Sequence, residues 1–204
     1  MSAPRKKKPS RPDRYEIRFS GSGGQGILTA ALILAEAAGL HDGKHVCQTQ
    51  AYGPESRGGT SKAEVVISTE EIDYPKAIEP DLLVAMNQAA CDRYFTDLKP
   101  DGLLVVDSTL VEDLPTDRAV AIGFTALARK VTGKALVANM VALGALAQLT
   151  RAVSMKGLEA VVKRRVPPGT AQMNLKALRA GVSAAKKVDL AGLPPKVTPD
   201  EEEL

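Results

Sequence analysis

The sequence predicts an α/β fold, a Rossmann-like three-layer sandwich in which helices cover both faces of a mixed sheet. Short apolar or alternating runs take turns with Ala- and Leu-rich segments along most of the 204 residues. Two of these runs, 44–53 and 61–69, are separated only by the turn-forming stretch PESRGGT, which indicates one antiparallel ribbon within the sheet. The chain is long enough for one domain with its own core.

The same patterns place six strands and six helices along the chain. The strands are expected over 15–21, 44–53, 61–69, 80–87, 101–109 and 118–124. The helices are expected over 26–40, 88–98, 125–133, 134–150, 154–166 and 170–188. The first helix should end at Gly39, and Ser154 should cap the fifth. The fourth is apolar on almost every side, which is typical of a central packed helix.

Charge separates the domain from its two ends. Residues 1–13 are predicted to be a disordered basic arm, 14–188 a single α/β domain, and 189–204 a flexible, Pro-rich acidic tail. The first 14 residues hold six Lys or Arg and one Asp. No nucleic-acid partner is expected from the domain itself, and binding of nucleic acid or an anionic surface through the arm is the alternative.

The cysteine content limits the chemistry that the chain can perform. Cys47 and Cys91 are its only cysteines and are 44 positions apart. This excludes a cysteine-ligated iron–sulfur cluster or zinc site made by this chain alone, and two reduced thiols fit a cytoplasmic protein. The basic start lacks the apolar run of a signal peptide, and the apolar stretch 135–149 is too short and polar to span a bilayer.

A glycine-rich loop follows the first predicted strand in FSGSGGQGILTA, residues 19–30. Gly21, Gly23 and Gly26 match G-x-G-x-x-G between a strand and a helix, a context in which backbone N–H groups bind phosphate. NAD binding also requires an acid near the end of the second strand, where this chain has VCQTQAY. The loop therefore predicts a site for phosphate or another anion without supporting NAD. The alternative is a turn that only packs the helix on the strand.

A second polar segment, AYGPESRGGTSKAEV at 51–65, joins the second and third strands. If the first two strands run parallel, this segment leaves the sheet at the same edge as the glycine loop, where ligands bind in such folds. Arg57 beside Gly58 and Gly59 can offer guanidinium and backbone N–H groups to a phosphate or carboxylate. The alternative is an ordinary surface hairpin with a solvated arginine.

No residue shows the pattern of a catalytic base. His41 and His45 are expected on the surface, and both cysteines are expected to be buried, inert thiols. Asp107 ends a buried strand at the ligand edge, where capping the next turn is the preferred role. Asn139 lies in an apolar helix and needs a partner, either a backbone carbonyl or a neighbouring subunit.

Four stretches together resemble the gamma subunit of the 2-oxoacid:ferredoxin oxidoreductases, of the 2-oxoglutarate or pyruvate type. GSGGQGI is similar to that family's first loop and AYGPESRGGTSKAEVVIS to its second. LVANMVALGALAQL resembles its long helix after the last strand, and QMNLKALRAG its C-terminal helix. The resemblance covers roughly residues 14 to 186 and leaves the arm and the tail outside.

The resemblance implies a subunit of a cytoplasmic complex that converts a 2-oxoacid and CoA to acyl-CoA and CO2 while reducing ferredoxin. Thiamine diphosphate, Mg²⁺ and iron–sulfur clusters would be held by alpha, beta and possibly ferredoxin-like delta subunits, and no cofactor by this chain alone. Its role would be to help assemble the complex and position CoA, with no catalytic residue. The alternative is a stand-alone Rossmann-type nucleotide-binding oxidoreductase. The residues expected to contact CoA, or in the second loop a partner subunit, are Gly21, Gly23, Gly24, Gln25, Gly26, Arg57, Gly58 and Gly59.

Overall fold

A six-stranded sheet forms the centre of the protein, whose computed structural model describes residues 14–51 and 60–194. The strands are β1 (Arg14–Ser22), β2 (His45–Ala51), β3 (Thr60–Ser68), β4 (Leu82–Ala85), β5 (Leu103–Asp107) and β6 (Ala119–Ile122). The helices are α1 (Ile27–Glu36), α2 (Gln88–Tyr94), α3 (Phe124–Thr132), α4 (Ala138–Thr150), α5 (Met155–Arg165) and α6 (Ala171–Ala185).

The strand order is β2-β3-β1-β4-β5-β6, and the sheet is mixed as predicted. β1, β4, β5 and β6 pair in parallel, whereas β3 is antiparallel to both of its neighbours. Because β2 and β1 each run opposite to β3, they point in the same direction. The ribbon β2–β3 therefore adds to one side of β1 without a helical crossover.

Helices cover both faces of the sheet, which confirms the three-layer prediction. Side chains alternate along β4, so Leu82 and Val84 enter a large core with α1 and α3–α6, while Leu83 and Ala85 enter a smaller core with α2. Two-sided burial explains why β4 and β5 are apolar at nearly every position.

Several helix boundaries differ from the sequence prediction, and α2 and α6 end three or four residues earlier than expected, at Tyr94 and Ala185. The first helix does not stop at Gly39, because a π-helical turn, Ala37–His41, continues it to His41. Gly43, with φ of +64°, lies in the turn that follows. The fourth helix begins with a 3₁₀ turn, Ala135–Val137, so α4 itself starts at Ala138. Ser154 caps α5 as predicted, because its hydroxyl oxygen accepts a hydrogen bond from the N–H of Gly157 at 3.1 Å.

A buried ionic cluster lies on the α2 face of the sheet. Arg18 on β1 is 1% exposed, and its Nε donates to Oε1 of Glu64 at 2.9 Å. The guanidinium also pairs with Asp97 and lies 5.5 Å from the ring centroid of Tyr94. Lys62 adds a second cation 2.8 Å from Oε1 of Glu64. The burial of these charges is compensated by pairing and hydrogen bonds, as charges in a core require.

The layer of helices opposite α2 is held by a very close crossing of α4 and α6. A Cβ added to Gly144 would lie 2.0 Å from the carbonyl oxygen of Leu178, and one added to Gly181 would lie 1.9 Å from that of Val141. The two backbones thus touch directly, as they can only where both helices present glycine.

The predicted arm at 1–13 and the last ten residues of the predicted tail lie outside the described residues, so both remain predictions. None of the helices described has the length and apolar character that a membrane span requires.

Candidate functional site

The glycine loop joins β1 to α1 at the edge of the sheet where the parallel strands end, and Gln25 sets its shape. Oε1 of Gln25 accepts a hydrogen bond from the N–H of Ser22 at 2.6 Å, and Nε2 donates to the carbonyl of Met86 at 2.9 Å. A Cβ on Gly21 would lie 2.5 Å from this Oε1. The carboxamide of Gln25 is therefore engaged inside the protein, where it connects the loop to the chain after β4.

Two asparagines complete the frame of the loop. Nδ2 of Asn87 donates to Oε1 of Gln25 at 2.9 Å, while Oδ1 of Asn87 accepts from the N–H of Ala90 and caps α2. Nδ2 of Asn139 donates to the carbonyl of Gly26 at 3.0 Å. Of the two partners expected for Asn139, the structure therefore shows the backbone carbonyl. This role of Asn87 was not predicted from the sequence, although an asparagine between a buried strand and a helix is a typical N-cap signal.

The framed loop leaves backbone donors free at the sheet edge. Gly23 and Gly24 are exposed, and no described residue accepts a hydrogen bond from the N–H of Gly23, Gly24 or Gly26. No side chain of the described residues caps α1, whose first backbone bond runs from the N–H of Ala30 to the carbonyl of Gly26. Unpaired N–H groups and the positive end of the helix dipole make this edge suitable for an anion.

The second predicted segment leaves and rejoins the sheet beside the loop. Ala51 ends β2, and Thr60, which begins β3, pairs with Ser22 at the end of β1. The condition that the first two strands run in the same direction is therefore met. Arg57, Gly58 and Gly59 themselves lie outside the described residues.

Asp107 has the capping role that the sequence analysis preferred. It is fully buried at the end of β5, where Oδ1 accepts from the N–H of Thr109 at 3.1 Å. Oδ2 accepts from the N–H and the hydroxyl of Thr125 at 3.1 and 2.6 Å. Both carboxylate oxygens are thus used to hold the start of α3 against β5.

A cleft of about 320 Å³ opens between the glycine loop and the start of α4. Its lining comes from the loop, the chain after β4 and β5, α3, and the 3₁₀ turn: Gly24, Gln25, Met86, Leu110, Thr125, Arg129, Ala135, Leu136 and Ala138. The sequence analysis did not single out Arg129, because one arginine on an amphipathic helix gives no pattern. The cleft combines a cation, backbone amides and apolar walls.

None of the described thiols or imidazoles lies in this cleft. Burial, with a smaller contribution from the charge of Asp92, raises the pKa of the Cys91 thiol to about 11, so it is protonated and unreactive at neutral pH. Cys47 is half-buried on the edge strand β2, so its predicted burial was wrong. His41 and His45 are exposed, as predicted. Within 14–51 and 60–194, no group of three or more His, Cys, Asp or Glu side chains could hold a metal ion.

A model of the family described as pyruvate ferredoxin/flavodoxin oxidoreductase matches residues 16–184, most of the domain described above. The chain belongs to this family. Among curated members, it is 47% identical over 176 residues to the 2-oxoglutarate synthase subunit KorC of Methanothermobacter marburgensis, covering 82% of this chain and 95% of that one. The corresponding subunit of Methanocaldococcus jannaschii is 47% identical over 182 residues, covering 86% and 96%.

Solved structures of the pyruvate ferredoxin/flavodoxin oxidoreductase family share the fold. The gamma subunit of a keto/oxoacid ferredoxin oxidoreductase from Geobacter sulfurreducens superposes with a TM-score of 0.77 at 45% identity, over 85% of this chain and 99% of that one. A 2-oxoglutarate:ferredoxin oxidoreductase from Magnetococcus marinus, with 2-oxoglutarate, coenzyme A and succinyl-CoA bound, gives 0.79 at 25% identity, over 92% of this chain and 33% of that one. The chain is thus a gamma subunit of this family.

The geometry and the family do not favour a stand-alone dinucleotide-dependent oxidoreductase. In that fold a parallel strand beside β1 ends in the acid that binds the ribose. Here the neighbour of β1 on the ribbon side is the antiparallel β3, and β2 contains no Asp or Glu. The glycine loop is shared with dinucleotide-binding folds, but the ribose-binding half of their site is absent from the described ribbon.

Proposed function

We propose that this chain is the non-catalytic gamma subunit of a 2-oxoglutarate:ferredoxin oxidoreductase. In the overall reaction, 2-oxoglutarate and CoA give succinyl-CoA and CO2, and two electrons pass to ferredoxin. The gradient of identity among relatives supports this substrate. Identity is 47% to three 2-oxoglutarate synthase subunits KorC and 37% to a fourth, against 36–37% to two ketoisovalerate oxidoreductase subunits VorA and 33–34% to two pyruvate synthase subunits PorC.

The division of labour follows from what the chain contains. Thiamine diphosphate on alpha and beta subunits would supply the decarboxylation chemistry, and clusters in partner subunits would conduct the electrons. Two cysteines far apart in sequence are too few for this chain to build a four-cysteine cluster. The chain's own contribution would be to bind and orient the CoA phosphates and to hold the cytoplasmic complex together.

Three features support CoA binding at the glycine loop. The N–H groups of Gly23, Gly24 and Gly26 have no acceptor among the described residues, and α1 begins there without a cap. A cleft large enough for part of a nucleotide adjoins them. CoA also has a pyrophosphate, for which such a loop is suited, and its binding does not require the missing acid of an NAD site.

The second loop has two possible roles in this proposal. Arg57 with Gly58 and Gly59 would contact a CoA phosphate or form part of the interface with the thiamine-binding subunits. Thr60, where the chain rejoins the sheet after this loop, pairs with Ser22 at the end of β1, where the glycine loop begins. Arg57→Gln separates the two roles, because loss of CoA affinity in an intact complex supports the first, and loss of co-purification supports the second.

The decisive experiment is purification of the native complex through this chain. Alpha and beta subunits should co-purify, and the complex should reduce viologen dye only when 2-oxoglutarate and CoA are both present. The isolated chain should show no activity. A complex that prefers pyruvate, 2-oxoisovalerate or indolepyruvate would correct the substrate, and failure to recover any thiamine-binding subunit would refute the proposal.

Gly23→Val tests the contact with CoA itself. A Cβ added to Gly23 would lie within 4 Å of no described atom beyond its chain neighbours, so the variant should fold normally and interfere only with a ligand above the loop. The KM for CoA should rise about tenfold or more, because close approach of backbone to phosphate is lost. Gly39→Ala, on the π-helical turn and remote from the loop, is the matched control. An unchanged KM in Gly23→Val would contradict CoA binding by the loop.

A further inference from the structure

Arg129 stands apart from the other described arginines. Of the nine arginines in 14–51 and 60–194, eight have a hydrogen bond, an ion pair or a ring contact through their side chain or another recorded polar interaction. The guanidinium of Arg129 has no partner of any of these kinds within the described residues. It is exposed on α3 and lines the cleft beside the glycine loop.

The surroundings of Arg129 are those of a ligand-binding residue and not of an ordinary surface arginine. Gly24 and Gln25 line the cleft from the glycine loop, and Arg129 lines it from α3. The carboxylate that lies deeper in this region, Asp107, has both oxygens occupied by donors of its own chain. Among the residues described, Arg129 is therefore a cation without a counter-ion, in a cleft lined also by Gly24, whose N–H has no described acceptor.

Apolar side chains form the rest of the opening. Leu136 is 71% exposed and Leu110 is 42% exposed, and both line the cleft together with Met86. Large apolar side chains left in water around a cation indicate a ligand with both charged and apolar parts. A nucleotide-containing molecule has this chemistry, with a pyrophosphate next to apolar groups.

We propose that Arg129 binds the pyrophosphate of CoA, from the wall of the cleft that faces the glycine loop. This inference rests on the proposed function and adds a residue that the loop motif does not contain. A guanidinium can form two parallel hydrogen bonds to phosphate oxygens, while the free N–H groups of the loop approach the same group from the other wall. By holding the pyrophosphate from two sides, Arg129 and the glycine loop would set the direction in which the pantetheine arm of CoA leaves the cleft.

The test uses the purified complex with Arg129→Gln and, as a matched control, Lys130→Gln, which removes the adjacent exposed cation of the same helix. Calorimetric Kd and KM are measured for CoA, for dephospho-CoA, which lacks the 3′-phosphate, and for pantetheine, which has neither phosphate group. Arg129→Gln should weaken CoA and dephospho-CoA by a similar factor of about ten or more, since a charge-assisted hydrogen bond is lost. Pantetheine should be unaffected, and Lys130→Gln should match the wild type. Thermal unfolding verifies that each variant is folded.

The possible outcomes separate this inference from the function on which it rests. If Arg129→Gln binds CoA normally while Gly23→Val does not, the role of Arg129 is refuted and the CoA site at the loop stands. If CoA is weakened but dephospho-CoA is not, Arg129 contacts the 3′-phosphate, and the pyrophosphate assignment is overturned. If neither variant changes the affinity for CoA, the inference and the CoA role of the chain both fail.

Discussion

The three glycines of the G-x-G-x-x-G motif have different tasks in this protein. Gly21 and Gly26 make room for side chains, since a Cβ on either would collide with Gln25 or Asn139. A Cβ on Gly23 would meet none of the described residues, so packing within 14–51 and 60–194 does not require a glycine there. Two of the three glycines are thus required by packing, and the position where a Cβ on Gly23 would lie is open to a ligand.

Gly26→Ala should destabilise the protein, whereas Gly23→Ala should not. Gly26 has φ of +71°, which costs a residue with a Cβ about 1–2 kcal/mol, and the new methyl would lie 2.4 Å from Nδ2 of Asn139. Displacing Asn139 adds the loss of its hydrogen bond, about 1 kcal/mol. Urea unfolding should show a total loss of about 2–3 kcal/mol for Gly26→Ala. Similar losses in the two variants would refute this assignment of roles.

Arg18 and Glu64 should behave as one unit. Because both are buried, Arg18→Met leaves the Glu64 carboxylate with one described cation, Lys62, and the Thr49 hydroxyl, and should cost about 3 kcal/mol in unfolding free energy. The double variant Arg18→Met with Glu64→Leu should cost clearly less than the sum of the single changes. Arg179→Gln, which breaks an exposed ion pair with Glu159, should change stability far less and serves as the control. Additive effects at Arg18 and Glu64 would contradict their coupling.

Cys91 makes stability depend on pH under alkaline conditions. Its folded-state pKa is raised to about 11, from an ordinary value of 9.0, so its contribution is complete below pH 9 and is lost as pH rises from there towards 11. Urea midpoints measured between pH 8 and 10.5 should fall more steeply in the wild type than in Cys91→Ala.

At pH 8, iodoacetamide should label the half-buried Cys47 well before Cys91. Faster labelling of Cys91 would show that its environment is not the one described.

At the scale of elements, α4 and α6 cross with their backbones in direct contact at Gly144 and Gly181. Gly144→Ala or Gly181→Ala would place a methyl about 2 Å from a carbonyl oxygen of the facing backbone, so the helices must separate. A loss of about 3 kcal/mol is expected in urea unfolding, at the upper end for overpacked cores. Ser183→Ala, on the exposed side of α6, should stay within about 0.5 kcal/mol. A loss of unfolding free energy well below this value in both variants would show that α4 and α6 can move apart to accommodate the methyl group.

The elements that were predicted well are those with a simple local signal. The apolar runs of β4 and β5 and the cap of α5 at Ser154 are legible because two-sided burial and N-capping leave clear patterns. The prediction that the first helix ends at Gly39 was wrong, because a π-helical turn extends the helix through Gly39 to His41. Local propensity cannot reveal a widened turn of this kind, since residues distant in sequence stabilise it.

At the scale of the whole molecule, charge is distributed unevenly across the sheet. Residues 70–117, which include α2, contain twelve Asp or Glu and three Lys or Arg. Residues 151–188, which include α5 and α6 on the opposite face, contain nine Lys or Arg and one Glu. The domain is therefore electrically polarised even though the full chain has a formal net charge of only +3.

This polarity should cause weak, salt-sensitive self-association of the isolated chain. Opposite poles attract in about 20 mM NaCl, where screening is weak, and the effect should vanish near 300 mM, where the screening length falls to roughly 6 Å. Sedimentation velocity at both concentrations measures it. Lys186→Glu with Lys187→Glu, both exposed at the end of α6, should reduce the association at low salt. Association that persists at high salt would indicate an apolar interface instead.

About half of the candidate site could be predicted from the sequence. The glycine loop was visible because its residues are contiguous, and its strand and helix context could be inferred. Arg129, Leu136 and Asn87 come from three other parts of the chain, and only the folded sheet brings them to one edge. Residues that are distant in sequence and meet only in the folded protein show no regular spacing that a single sequence could reveal.

The reversed direction of β3 has a consequence for engineering. Because the ribbon β2–β3 leaves and returns at one edge, the connection between Ala51 and Thr60 could be transplanted from another gamma subunit without changing the order of the remaining strands. A helical crossover would not permit such a graft, since its core contacts would have to be exchanged as well. In such a graft the pairing of β2, β3 and β1 should be retained, and only the connection beside the glycine loop would change.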